Sequence, residues 1–450
     1  MNFQLRFTDR EITPWGGISL MQRMLEQVGL EAALRQCGLP LPGSNRGYSP
    51  IQLVTQFLLN IWCGGNRFEH AEAVRHDTVL QRLFGFARMA NFKALIRFFN
   101  KFNQATNAQV FGRLYRWLFD QIQVDRLTLD LDSTVMTRYG TQAGAAKGYN
   151  PRRRGRLSHH PLMAFVADLR LIANCWLRPG NTASSHNVAA FLETTLDHLG
   201  KKRVGLLRAD SGFSDAAFLA QLEDKGLPYI VALKLNQPLQ RALVSASGWW
   251  RLDTGIDLVS FTYRPEAWEK PRRVVGIRQQ IDAKPDAKGK QLSLFAEDDV
   301  IRGYRYAALV TDLELPDAEI WRSYRGRADC ENRIKELKYD FGAESFNLRD
   351  FWATEACLNM AMLAYNLMSL FRQAVLRATV TRKGTEEPIA QTLRTLRYQL
   401  FAKAGYVGRE GRHHVLKLNI PKRHREWFEG LWNRAKSFDL PFRFVPANTS

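Results

Sequence analysis

Apolar residues recur at i, i+3 and i+4 through residues 18–121, in runs such as Leu20, Met21, Met24, Leu25, Val28 and Ile51, Leu53, Val54, Phe57, Leu58. That spacing predicts amphipathic helices, and Pro40, Pro42, Gly43 and Gly47 divide them into short ones. At Arg126 the period changes from 3.6 to 2: Leu127, Leu129 and Leu131 alternate with Thr128, Asp130 and Asp132, the signature of a strand with one face in a core. Residues 161–168 and 171–177 read as an antiparallel hairpin, 187–199 as a helix, 204–209 as a strand, 214–225 as a helix capped by Ser214, and 228–234 as a strand. Strands and helices in this succession predict a mixed sheet with helices packed on it.

Residues 235–315 carry an irregular, β-like pattern with Trp249, Trp250 and a polar stretch at 282–290, which reads as an insertion into the sheet domain. A helix is expected behind Pro316, with Asp317 as its N-cap and Gly342 as its stop. An apolar helix over 351–376 follows, and the tail is polar and basic. The expected organisation is a helical domain at 1–121, of a kind that often binds DNA in basic proteins though most helix bundles do not, a sheet domain in two parts at 122–234 and 316–385 around a β-rich insertion at 235–315, and a basic C-terminal region at 386–450.

Charge narrows the choice of partner. The 450 residues include 64 Lys and Arg against 44 Asp and Glu, a net charge of +20 that favours a polyanion. The five cysteines, at 37, 63, 175, 330 and 357, form no CxxC pair, so neither a disulfide framework nor a zinc site is indicated. Residues 1–15 hold no apolar run behind a basic start. The most apolar stretch, 356–371, contains Asn359 and Asn366 and is shorter than the roughly 18 residues a membrane helix requires.

Two aspartates stand at predicted strand ends: Asp132 before Ser133 and Thr134, and Asp210 in the run Arg208-Ala-Asp-Ser-Gly-Phe. Carboxylates there project into the crevice where open α/β sheets bind ligands, though either aspartate also suits a turn. Asp130 shares a face with Asp132 and is a partner or an alternative ligand. His159, His160 and His186 lack metal-ligand spacing and read as structural or phosphate-facing. On one continuous helix, at about 100° per residue, Tyr324, Arg327, Glu331 and Lys338 fall within roughly 60° of one another. Such a stripe is either a solvated face with i, i+4 ion pairs or a carboxylate ligand flanked by phosphate-gripping groups. With Asp132 and Asp210, Glu331 makes the all-oxygen set that a pair of hard divalent cations needs.

Asp132-Ser-Thr, Asp210 in Ala-Asp-Ser-Gly-Phe, and Tyr324-x2-Arg327-x3-Glu331-x6-Lys338 resemble the DDE transposases of bacterial insertion sequences, in the superfamily with the Tyr-Arg-Glu-Lys signature. The stretches Leu129-Asp-Leu-Asp-Ser-Thr, Gly148-Tyr-Asn-Pro and Ser158-His-His-Pro-Leu look closest to the insertion-sequence group numbered thirteen-eighty, and the likeness runs from about residue 10 to 430. It implies an α/β, RNase H-like mixed sheet with flanking helices, interrupted by a β-rich insertion, plus a helical N-terminal domain. Asp132, Asp210 and Glu331 map onto catalytic carboxylates binding two Mg²⁺ ions, with Mn²⁺ expected to substitute. Tyr324, Arg327 and Lys338 would contact phosphates. Double-stranded DNA, as terminal inverted repeats and target, is the implied substrate, two copies of the chain are expected to pair the ends, and the implied location is the bacterial cytoplasm at the nucleoid.

Two further features bear on DNA. Trp249 and Trp250 are either core residues or faces for a base flipped from the duplex. Lys147, Arg152, Arg153 and Arg154, in an acid-free loop close to Asp132 in sequence, suit the DNA backbone or plain solvation. The intact carboxylates favour an active enzyme over a catalytically silent DNA-binding regulator derived from a transposase. A glycosidase using a carboxylate pair fits the charge of +20 poorly.

Overall fold

The computed structural model describes residues 3–44, 47–280, 300–301, 303–377, 379–380, 386–387 and 391–443. The polar stretch at 282–290 and part of the C-terminal tail therefore lie outside the described residues. The chain forms two compact units, one of Met1–Gln123, Thr137–Ala145 and Lys335–Ser450, the other of Val124–Met136 and Ala146–Ile334.

The first unit is mostly helical. Its helices Pro50–Trp62, Thr78–Leu83, Phe92–Phe99 and Gln104–Asp120 start behind Ser49, Asp77, Asn91 and Asn103, each of which accepts a backbone N–H of the first turn. Such caps satisfy donors that a helix start leaves without partners. Phe57 meets Phe99 and Phe346 edge-on at ring separations of 4.8 and 4.7 Å. Phe351–Phe371 is buried along nearly its whole length and ends in a π-helical turn, Arg372–Leu376. Thr13 pairs with Gly405, so the N-terminal segment and the C-terminal hairpin Gly405–Glu410 and His413–Leu418 share this unit.

The second unit is built on one mixed sheet, whose strands are numbered in chain order: β1 (Arg126–Ser133), β2 (Leu162–Val166), β3 (Leu171–Trp176), β4 (Arg203–Ala209), β5 (Tyr229–Ala232), β6 (Trp250–Asp253), β7 (Ile256–Tyr263), β8 (Arg272–Gln280), β9 (Val300–Ile301) and β10 (Tyr304–Thr311). Their order is β6-β7-β8-β10-β5-β4-β1-β2-β3, with β9 on β10. β4 runs parallel to both β1 and β5, and the other pairings are antiparallel. β1 is the central strand of the β3-β2-β1-β4-β5 half, and its residues Leu129 to Asp132 are all buried.

Four expectations change. The β-rich segment 235–315, expected to be irregular, supplies strands β6 to β10 that continue the central sheet through β10, and a helix, Gln237–Ser245, precedes them. The helix Ala216–Asp224 is capped by Asp215, whose carboxylate accepts from Ala217 and Phe218, while the Ser214 hydroxyl donates to Ser211. Asp317 is the first helical residue behind Pro316 and makes no cap bond; its carboxylate accepts from Arg273 at 2.7 Å. The helix expected across Tyr324 and Glu331 breaks into Asp317–Arg325 and Ala328–Asp340. At the break Arg327 donates its N–H to Tyr324 and Cys330 donates to Arg327, both at 3.0 Å. These i to i−3 bonds wind the junction more tightly than an α-helix.

One buried ion pair and one partly buried cluster tie elements of the sheet unit together. Asp130 of β1 lies in register with Arg208 of β4, and the guanidinium grips the carboxylate at 2.6 and 2.8 Å while donating a third bond to the Ser323 carbonyl. A Cβ on Gly326 would stand 2.6 Å from that guanidinium, so glycine is what lets the helix junction close on it. Glu223, at the end of the Ala216–Asp224 helix, receives two bonds from Arg272 of β8, one from the Tyr229 hydroxyl of β5, and an ion pair from Lys270. Burial pushes the Glu223 carboxyl up, but these donors outweigh it and bring it down to about 2.

Arg208→Met alone strands a buried carboxylate and is expected to cost about 3–5 kcal/mol in urea unfolding, whereas Arg208→Met with Asp130→Leu recovers most of that loss. Glu223 has its own pH signature. The folded-state value lies below the unfolded one, so its contribution is complete above about pH 4.5 and is lost as pH falls toward about 2. Melting temperatures measured across that window should therefore fall less for Glu223→Gln than for the unsubstituted protein.

Candidate functional site

β1 and β4 run side by side and end together, Leu131 beside Ala209. Asp132 and Asp210 follow those partners, so parallel pairing delivers both carboxylates to the same end of the sheet. Asp132 is buried, with its Oδ1 accepting from the Ser133 N–H at 2.7 Å. Asp210 is more open and caps a short 3-10 turn, Ser211–Phe213, by accepting from the Gly212 N–H at 2.9 Å. The two aspartate loops are linked through Ser184, whose hydroxyl lies 3.0 Å from that of Ser133 and which packs where a Cβ on Gly212 would stand. Ser184 is held in turn by Arg178, a buried cation that donates to the carbonyls of His160, Ala183, Ser184 and His186.

Arg327 enters this pair from the helix break. One of its terminal nitrogens, NH2, lies 3.1 Å from Asp132 Oδ1, 3.9 Å from Asp210 Oδ2 and 3.4 Å from the Leu131 carbonyl. Burial works against the guanidinium charge, but Asp132, Tyr324 and Asp210 more than offset it and hold its pKa well above the ordinary value. Asp132 is pushed up to about 6, by burial first and then by the like charges of Asp210 and Glu331, against the pull of Arg327. The arrangement thus keeps Arg327 charged and makes each added negative charge expensive. Cys330 completes the wall, its Sγ 3.8 Å from Asp132 Oδ2.

Tyr324 has its ring in the apolar cluster with Ile230, Leu258, Ile277, Ile320 and Trp321, and is 6% exposed. Its phenol is pushed up to about 12, by burial first and then by the carboxylates of Asp210, Asp132 and Asp130, against the pull of Arg327. Glu331 is half-buried and acts on Asp132 as a like charge. Among the described residues no three His, Cys, Asp or Glu side chains group closely enough to hold a metal ion. Asp132 and Asp210 do fit a hard divalent cation in donor chemistry, since both converge on one cationic nitrogen with oxygen donors only. Lys338 lies in the part of its helix that belongs to the first unit, 3.9 Å from Glu344.

The DNA-facing candidates are placed as follows. Lys147, Arg152, Arg153 and Arg154 are exposed; Lys147 ends the short strand Ala146–Lys147, and the three arginines lie on the loop that joins it to its partner strand Leu157–His159. Trp249 is half-buried, with the Arg278 guanidinium 4.6 Å over its ring and Tyr306 edge-on at 5.9 Å. Trp250 is 41% exposed. His160 directs Nδ1 to the Thr182 carbonyl at 2.9 Å, a structural use. Arg208, Arg178 and Ser184 support the site without being singled out by the sequence. For Arg208 a signal existed: Asp-x-Asp on one strand and Arg-x-Asp on its neighbour place Asp130 beside Arg208 once the two strand ends are aligned.

No curated protein matches the chain. Among solved structures it is similar to the piggyBac transposase synaptic complex with hairpin DNA, determined by cryo-EM. The identity is 11%, covering 88% of this chain and 82% of that one, and the TM-score of 0.44 is too low to carry an argument. The family comparison is decisive: the model of the transposase DDE domain, group 1, matches residues 1–437, and the chain belongs to that family of DDE transposases.

Proposed function

We propose that this protein is an active DNA transposase of a bacterial insertion sequence, which cuts phosphodiesters at the element ends and joins the resulting 3′-hydroxyls to target DNA. The observation that carries the reading is the convergence of Asp132 and Asp210, from the ends of adjacent parallel strands, on the single Arg327 nitrogen. The strand order β3-β2-β1-β4-β5, three antiparallel strands followed by two parallel to the first, supports an RNase H-like core. The motif match supports a place near the insertion-sequence group numbered thirteen-eighty, with a cytoplasmic, nucleoid location and two copies pairing the element ends.

Asp132, Asp210 and Glu331 are the proposed ligands for two divalent cations, Mg²⁺ by preference for oxygen donors. Bound there, such ions activate the attacking oxygen and stabilise the leaving one. The protein's own contribution is placement. Asp132 and Asp210 are fixed by the register of β1 on β4, Arg327 offers a forked cation to a phosphate, and Tyr324 is the proposed neighbouring phosphate contact. No side-chain nucleophile is needed. The exposed cations Lys147, Arg152, Arg153 and Arg154 suit the DNA backbone, and Trp250 offers the more accessible indole face of the two tryptophans.

The direct test is a nicking assay on a duplex carrying the element's terminal inverted repeat, with Mg²⁺ and purified protein. Asp210→Asn should abolish nicking while leaving duplex binding intact. Binding without cleavage by the unsubstituted protein would instead identify a DNA-binding regulator. Replacing Arg152, Arg153 and Arg154 by Ser should lower the slope of log affinity against log salt by roughly 2–3, because each phosphate contact contributes about 0.9. That loss should be the same for cognate and unrelated duplexes, and an unchanged slope would remove this loop from the interface.

A further inference from the structure

We infer that Arg327 is an internal counter-cation that stands between Asp132 and Asp210 in the DNA-free protein, and that divalent ions enter only after a DNA phosphate has drawn its guanidinium away. The inference rests on the reading of Asp132 and Asp210 as metal ligands and adds a regulation of that site: metal binding is coupled to DNA binding through one side chain.

The contacts carry the first step. A single nitrogen of Arg327 touches both carboxylates, at 3.1 and 3.9 Å, in a position where its side chain is only 10% exposed. A magnesium-sized ion takes carboxylate oxygens at about 2.0–2.1 Å, so the guanidinium holds these oxygens farther out than a shared metal would. The two occupants exclude each other on grounds of both space and charge.

The second step is why the guanidinium is able to leave. Its Nε is buried without a hydrogen-bond partner, so the group is held by charge and not by a full set of bonds. Arg327 also sits at the break between two helices, on bonds of the i to i−3 type, where a backbone adjustment unwinds neither helix. Asp210 is the open side of the pair, with its side chain 37% exposed against 9% for Asp132, and is the side from which an oxyanion approaches. A phosphodiester takes a guanidinium fork through two parallel bonds, more than the one nitrogen now in use supplies. Once the fork turns to phosphate, Asp132 and Asp210 face each other without a cation, and their repulsion favours a divalent ion. Linkage makes the effect reciprocal, so metal strengthens DNA binding by the same factor.

The experiment uses the full chain and Mn²⁺ as probe. Without DNA, Arg327→Gln is expected to bind Mn²⁺ at least about 10-fold more tightly than the unsubstituted protein, the reverse of what loss of a supporting residue gives. Adding Asp210→Asn to Arg327→Gln should abolish that binding. Affinity no tighter in Arg327→Gln, with Asp210→Asn still abolishing it, overturns the counter-cation alone; binding indifferent to Asp210→Asn overturns the metal-site reading with it. A second measurement needs no substitution at Arg327. Iron(II), loaded in place of magnesium and set to generate hydroxyl radicals, should cleave the unsubstituted chain beside Asp132 and Asp210 only when a short duplex is present. Equal cleavage with and without the duplex overturns the inference.

Discussion

The parallel pairing of β1 with β4 is the constraint on which the site depends. Asp132 and Asp210 are far apart in sequence, and only a register that sets Leu131 beside Ala209 brings both out at one end of the sheet. Hydrophobic alternation alone resists a one-residue slip where one face is buried, but β1 is buried on both faces here. The Asp130–Arg208 pair supplies the missing specificity. Any slip would separate two buried charges, each of which is expensive to leave unpaired. Because Arg208 also binds the Ser323 carbonyl, the same pair fixes where the Tyr324 helix ends and where Arg327 begins.

Much of this core was legible from local pattern. The alternation of Leu127, Leu129 and Leu131, the hairpin of β2 and β3, and the strand and helix after it are short-range signals, and each element lies within a few residues of its expected position. What was not legible depends on partners remote in sequence. Strands β6 to β10 have ordinary β patterns, and nothing local says that β10 will pair with β5 and extend the central sheet. The helix break is similar. Gly326 has helical backbone angles, and its significance lies in Arg208, which approaches from β4.

The site itself divides in the same way. Asp132, Asp210 and Arg327 come together because strand ends and a helix junction bring them there, and their residue types had already marked them. The uniform stripe of Tyr324, Arg327, Glu331 and Lys338 required one continuous helix. The break gives each residue its own surroundings: Tyr324 has its ring in the core, Arg327 lies on the aspartates, Glu331 reaches Asp132 only as a like charge, and Lys338 faces Glu344. A helical wheel assumes one unbroken helix and is blind to a break in it.

Electrostatics explains why a cation stands at this pair of carboxylates. Asp132 is buried beside Asp210 and within the field of Glu331, and burial together with those like charges raises its carboxyl to about 6 even with Arg327 in contact. Two routes relieve this cost: a proton on Asp132 or a positive charge between the pair. A proton removes the charge of Asp132 and with it the attraction that holds Arg327 there. A guanidinium answers the second way, and the Arg327 nitrogen between Asp132 and Asp210 is where the structure places that charge.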